Sequence, residues 1–276
     1  MSRFTNILAA MLLATTVPAS AAADDVTVYT TVTRVGKDAA DSPVVGRSLT
    51  LFHAGKVYDW MEDFDEVVIF EPIHDRFVIM NGDTYIAARV EFSELHQFLN
   101  VARHEAEKYL QELSVSDDRA DRRRAAALEF QLQPKFEERY EPTLNRLQLA
   151  GDTLSYNVET ARIEDAQVIR QYLVYADWAC RLNYVLHPHS MYPASRVALN
   201  ASLMEKGLLP TSVELRTQID EEEVVLRASH KFQWELQPSD KTHINFWERL
   251  LDSDKIEWVS FHEYQQQLFS ESVARD

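Results

Sequence analysis

The stretch DWMEDFDE (59–66) sets five carboxylates, Asp59, Glu62, Asp63, Asp65 and Glu66, within eight residues. Paired carboxyl groups can hydrolyse a glycosidic bond, one as acid and the other as base or nucleophile. At a strand end, however, such a charge run reads first as a solvated acidic turn. LHPHSMY places His187 and His189 two apart, a spacing at which two imidazoles can chelate zinc or copper if a distant third ligand folds in. The simpler expectation is surface histidines in a loop that ends a helix. ADWACRLN carries Asp177, Trp178, Arg181 and Asn183 on one helix, where Asp177 and Arg181 are four apart and can pair. Cys180 lies on the apolar stripe of that helix and reads as a core thiol. There is no H-E-x-x-H, C-x-x-C, G-x-S-x-G, phosphate loop or dinucleotide fingerprint. No catalytic residue, metal site or cofactor is therefore assigned.

Positioning elements can be read around these groups. VVLRASHKFQWEL (224–236) alternates strictly: Val224, Leu226, Ala228, His230, Phe232, Trp234 and Leu236 share one face, and Arg227, Ser229, Lys231, Gln233 and Glu235 share the other. Period-two alternation marks a strand with one buried and one wet face. His230 is the one histidine on the apolar face and reads as a core or rim imidazole, with pocket lining as the alternative.

VTVYTTVTRV (26–35) opens a meander of short strands that continues through 48–61, 66–83 and 84–92. Its turns fall at 53–56, 72–75 and Asn81-Gly82. Helices are expected over 93–113 and 117–130, then strands around Leu147–Leu149 and Leu154–Val158. A long helix (164–186) and a shorter one (194–206, stopped by Gly207) follow. The last strands form a hairpin turning at 220–223, and the closing pieces 244–251 and 260–269 read as helical. Neighbouring strands are close in sequence, so an antiparallel sheet is predicted. A 13-residue strand exceeds the usual length and must bend or twist. The fold class is α+β: a curved, half-barrel-like antiparallel sheet with helices on its concave face and helix 164–186 as the plug.

MSRFTNILAAMLLATTVPASAAADD has the basic start, short apolar core and small-residue end of a signal peptide, with cleavage after Ala21 or Ala23. The apolar core is too short to span a bilayer. The reading is residues 1–23 as signal and 24–276 as one α+β domain, exported to a periplasmic or extracellular location. One cysteine excludes an internal disulfide framework. A formal charge of −16 argues against nucleic acid and acidic membranes as partners, and no stable membrane insertion is expected.

LFHAGKVYDWMEDFDEVVIFEPIHDRFVIM resembles the periplasmic lipoprotein-carrier family. The matching features are Gly55-Lys56 leading to Tyr58 and Trp60, an acidic spacer, the strand with Val67 and Ile69, and the turn at Pro72. The resemblance covers about 30 positions and implies a half-open sheet that holds an apolar ligand under helices. On this reading the protein is a non-enzymatic carrier for a lipid-like ligand or a docking module for another protein. The expected ligand residues are Trp234, Phe232, His230, Trp178 and Arg181, with Trp234 and Phe232 on the wall of a groove between sheet and helix 164–186. The alternative is a hydrolase acting on an extracellular polymer through its acidic residues.

Overall fold

Among the described residues, twelve strands hydrogen-bond into one open sheet, joined by six helices. The architecture is that of a computed structural model, which describes residues 25–36, 42–187, 190–219 and 222–275. The segment 1–23 expected to be a signal, His189 and the hairpin tip at 220–221 lie outside the described residues. The strands are β1 (Val26–Arg34), β2 (Val44–His53), β3 (Lys56–Met61), β4 (Glu66–Glu71), β5 (Arg76–Asn81), β6 (Ile86–Glu91), β7 (Glu137–Glu141), β8 (Arg146–Ala150), β9 (Leu154–Ala161), β10 (Leu209–Ile219), β11 (Glu222–Gln233) and β12 (Glu257–Val259). The helices are α1 (Phe92–Ser114), α2 (Arg119–Leu132), α3 (Ala166–Leu186), α4 (Ala194–Lys206), α5 (Pro238–Leu251) and α6 (Phe261–Arg275). Among the described residues, no helix is long and apolar enough to cross a membrane.

Sheet order is β12-β6-β5-β4-β3-β2-β1-β11-β10-β9-β8-β7. Every pair is antiparallel except β12 with β6, which is parallel. Local hairpins build both wings, because their turns are short and chemically suited. Ala54 and Gly55 both take positive φ in the two-residue turn between β2 and β3, as the twist of tight hairpins requires. Asp65, Asp75, Tyr85 and Asn145 take the same left-handed conformation at the last position of longer turns. Gly82 is needed for a close approach: a Cβ there would stand 2.0 Å from Asp65 Oδ2. The wings meet where β1 pairs with β11, a register that sets Thr30 opposite His230.

Burial divides the sheet. All six residues of β4 are buried, whereas β9 alternates buried and half-exposed. The first face carries Val28, Phe52, Val57, Val68, Phe70 and Phe77 and continues into β8 and β9, where it is covered by α1, α3 and α4. The second face has Leu49, Leu51, Tyr58, Val67, Ile69, Val78 and Met80, and α5 packs on it through Ile244, Trp247 and Leu250. That cap explains why β2–β5 are apolar on both sides. α5 opens at Pro238, earlier than the apolar pattern predicts, with a reciprocal capping box between Gln237 and Asp240. Lys56 bridges Glu71 and Glu248 at 2.8 Å each, and Tyr58 donates to Glu248 at 2.6 Å, pinning the same helix.

Two strands went unread in the sequence: β7, whose EERYE is mostly charged, and the three-residue β12. β11 ends at Gln233, so Trp234 and Leu236 lie beyond the strand that the alternation predicts.

Candidate functional site

Strand register assembles the site. His230 pairs with Thr30, Thr30 with Ser48, Ser48 with Met61, and Met61 with Glu66. These five residues form one continuous row across β11, β1, β2, β3 and β4. The adjoining row on the same face runs Phe232, Val28, Thr50, Asp59, Val68. Apolar side chains fill both ends of the second row, but its middle and most of the first row are polar.

α3 lies over these rows. Tyr172 meets Phe52, His230 and Phe232 with centroid separations of 6.4, 6.1 and 5.4 Å. Tyr175 meets Phe52 and Phe70 at 6.0 and 5.8 Å. Beyond these rings, the small and aliphatic residues Ala176, Ala179, Leu182 and Leu186 of α3 line the space over the polar floor. The result is a cavity of about 370 Å³, whose polar lining includes Thr30, Asp59, Glu66, Tyr175, Arg196 and His230.

Asp59, Glu66 and His230 there are shifted from their ordinary pKa values. Asp59 accepts from Thr50 Oγ1 at 2.9 Å and from the Tyr175 hydroxyl at 2.6 Å. Burial raises its pKa, and the hydroxyls of Tyr175, Thr50 and Ser48 oppose that rise. Glu66 is 2% exposed. Its Oε2 accepts from the Tyr264 hydroxyl of α6 at 2.9 Å. Burial, with a smaller push from Asp59, moves its pKa up to about 7. His230 Nδ1 lies 2.9 Å from Thr30 Oγ1. Burial, assisted by Arg196, takes its pKa down to about 3, so the ring is neutral.

Two atoms remain: Glu66 Oε1 and His230 Nε2 are buried without a protein partner. Burying such an atom unpaired costs about 1–3 kcal/mol. Among the described residues, the other buried unpartnered side-chain atoms belong to Tyr140, Arg146 and Asn157, on β7, β8 and β9.

Of the five residues expected at a ligand site, the cavity wall takes in only His230. Phe232 adjoins it, wedged between Tyr172 and Trp234. Trp234 is 55% exposed and covers a separate depression with Val26, Ile163 and Val168. Trp178 faces the other flank of α3, stacked on Phe92 at 3.8 Å. Arg181 lies over the Trp178 ring and donates to the backbone oxygen of Asp177 at 2.6 Å. The Asp177 carboxylate accepts instead from Asn200 at 2.8 Å. His187 is on the cavity wall, and His189 is outside the described residues. Among the described residues, no three His, Cys, Asp or Glu side chains gather as a metal-binding group. Cys180 donates to Asp177 O at 3.2 Å, and burial pushes its thiol up to about 11, which removes it as a nucleophile.

The acidic run splits. Glu62 and Asp63 are exposed in the turn, as a solvated cluster would be, but Asp59 and Glu66 turn inward. Strand parity carried that signal: Asp59 shares its face with Val57 and Met61, and Glu66 shares its face with Val68 and Phe70. Tyr172 and Tyr175 were legible only as stripe residues, and nothing in the sequence marked Arg196.

No protein-family model matches the chain, and no curated protein matches it significantly.

Proposed function

We propose that the protein is an exported ligand-binding protein, whose site is the cavity between the β11-β1-β2-β3-β4 floor and helices α3 and α4. One observation carries this reading: Glu66 Oε1 and His230 Nε2, both buried and both without a protein partner, line the same cavity. A bound molecule would supply the missing hydrogen bonds and offset their burial. About 370 Å³ suits a metabolite-sized ligand at the low end of the usual range. Buried carboxyl groups along the floor favour a molecule with polar groups over a bare acyl chain.

The test is mass spectrometry of the protein purified under native conditions. A retained mass of a few hundred daltons that is lost on denaturation is expected. Ala179→Phe narrows the cavity without touching a charge and should abolish retention. An intact protein that carries no small molecule, and whose melting temperature no metabolite raises, would remove the reading.

A hydrolase is favoured by one further observation. Asp59 and Glu66 are diagonal cross-strand neighbours on β3 and β4, a relation that sets Cα atoms roughly 7–8 Å apart. Glu66 is tuned as a general acid near neutral pH. Release of sugars from an extracellular polysaccharide, lost in Glu66→Gln, would establish catalysis in place of simple binding.

A further inference from the structure

The cavity's acidic and basic groups are sorted by position. Asp59 and Glu66 occupy β3 and β4. Neither carboxyl forms a salt bridge with a cation among the described residues. Arg196, from α4, lies at the opposite side. Its charge is felt at His230 on β11, Tyr156 on β9, and Tyr172 and Cys180 on α3. Its Nε donates to Asn200 Oδ1 at 3.2 Å, and among the described residues it forms no salt bridge. The nearby Asp177 carboxylate accepts from Asn200 and also feels the Arg196 charge.

His230 adds to the basic end. When Thr30 donates to Nδ1, the ring proton sits on Nε2, the unpartnered atom, which then acts as a donor. At the acidic end, the unpartnered Glu66 Oε1 acts as an acceptor when ionised. Four strand spacings separate His230 from Glu66 along their shared row, roughly 19 Å between backbones. Side chains from both ends and from α3 occupy part of that span.

We infer that the cavity takes a linear zwitterion of short-peptide length, its carboxylate held by Arg196 and His230 and its ammonium by Glu66 and Asp59. This rests on the cavity being the ligand site. An extended peptide covers about 3.3–3.6 Å per residue, so three or four residues bridge the two ends. Each terminal charge would gain a charge-assisted hydrogen bond in a desolvated place. The floor between them offers the Ser48 and Thr50 hydroxyls, and the roof offers Ala176 and Ala179, a mixed lining that suits amide groups and small side chains.

Calorimetric titration of the intact protein with alanine peptides of two to five residues tests the assignment. Affinity should peak at three or four residues, with free L-alanine much weaker. N-acetylation and C-terminal amidation of the best peptide should each weaken binding about tenfold or more. Two variants assign the ends. Arg196→Gln should erase the preference for the free over the amidated peptide and keep the preference for the free amine. Glu66→Gln should do the reverse, which a general folding defect would not. Capped peptides binding as well as free ones would overturn the zwitterion. So would silence across the series from a protein that still retains a native small molecule; there the cavity reading survives. Silence across the series with nothing retained would remove both.

Discussion

β4 and β9 are both central to the core, yet β4 buries all six of its residues and β9 buries every second one. The difference is α5. It caps the second face of β2–β5, so those strands become continuous apolar runs such as Val67-Val68-Ile69-Phe70. Among the described residues, no comparable cluster covers the outer face of β8–β10, where alternation survives. Apolar density in a strand thus reports how many layers it lies between. The polar cavity belongs to the doubly covered wing and its seam with the other, where an uncompensated carboxyl is most costly.

Breaking the cap should have the largest effect. Trp247 is 3% exposed and packs near Tyr58 and Trp60. Trp247→Ala should cost about 3–5 kcal/mol in urea unfolding, while its exposed neighbour Phe246→Ala should stay within about 0.5 kcal/mol. Equal losses would mean that α5 is not the element that distinguishes the wings.

Next in size is a pH effect at Glu66. Its folded pKa of about 7 lies above the unfolded carboxylate value. The stability it contributes is therefore complete below the unfolded pKa and is lost as pH rises through about 7. Glu66→Gln should stabilise the protein by about 2–3 kcal/mol at pH 8 and by little below pH ~4.5. His230 acts in the opposite sense. Its folded pKa is depressed to about 3, so its share is present above the unfolded value and falls away on acidification. Unfolding curves for His230→Phe across that range should show a shallower acid loss.

The cap's start is a smaller lever. Asp240 accepts from Gln237 N at 2.9 Å and from Thr27 Oγ1 at 3.0 Å. Asp240→Ala should cost about 1–2 kcal/mol by thermal or urea denaturation. The smallest effect is expected on the singly covered wing. Burial pushes the Glu214 pKa up, but Arg227 and Arg216 more than offset that and leave it lowered. Its stability is thus present at neutral pH and lost as pH falls. Glu214→Gln should cost about 0.5 kcal/mol at pH 7, vanishing in acid. A loss at Glu214 larger in size than the gain at Glu66 would invert the contrast between the wings.

Most of the fold was legible because its signals are local. Alternation, turn residues and helical stripes mark β1–β6, β8–β11 and all six helices, with shifted ends, as where α5 opens at Pro238 and the apolar pattern starts only at Ile244. β7 escaped because charged EERYE has no apolar face to read, and β12 because three residues carry no period. The α+β class with helices over the sheet followed from the same local signals. The cavity was only half legible. His230 stood out as a polar residue on an apolar face, but Asp59 and Glu66 were hidden at the two ends of a charge run whose middle members, Glu62 and Asp63, are exposed. Arg196 depends on α4 docking beside α3, a long-range event. Trp234, Trp178 and Arg181 drew attention by residue type, and the structure sets them on other surfaces.

The seam between β1 and β11 joins residues about 200 positions apart. During synthesis the first wing can form its hairpins early, yet β1 must keep an unpaired edge until β11 emerges. Such an edge invites pairing with other chains, and closing so long a loop slows folding. The floor of the cavity needs His230 from β11, and Glu66 needs the hydroxyl of Tyr264 from α6. A chain interrupted before its last 50 or so residues would hold a stable-looking N-terminal meander and no site. Completion of the polar row is therefore a late folding event, and ligand binding would be a sensor of full-length, correctly closed protein.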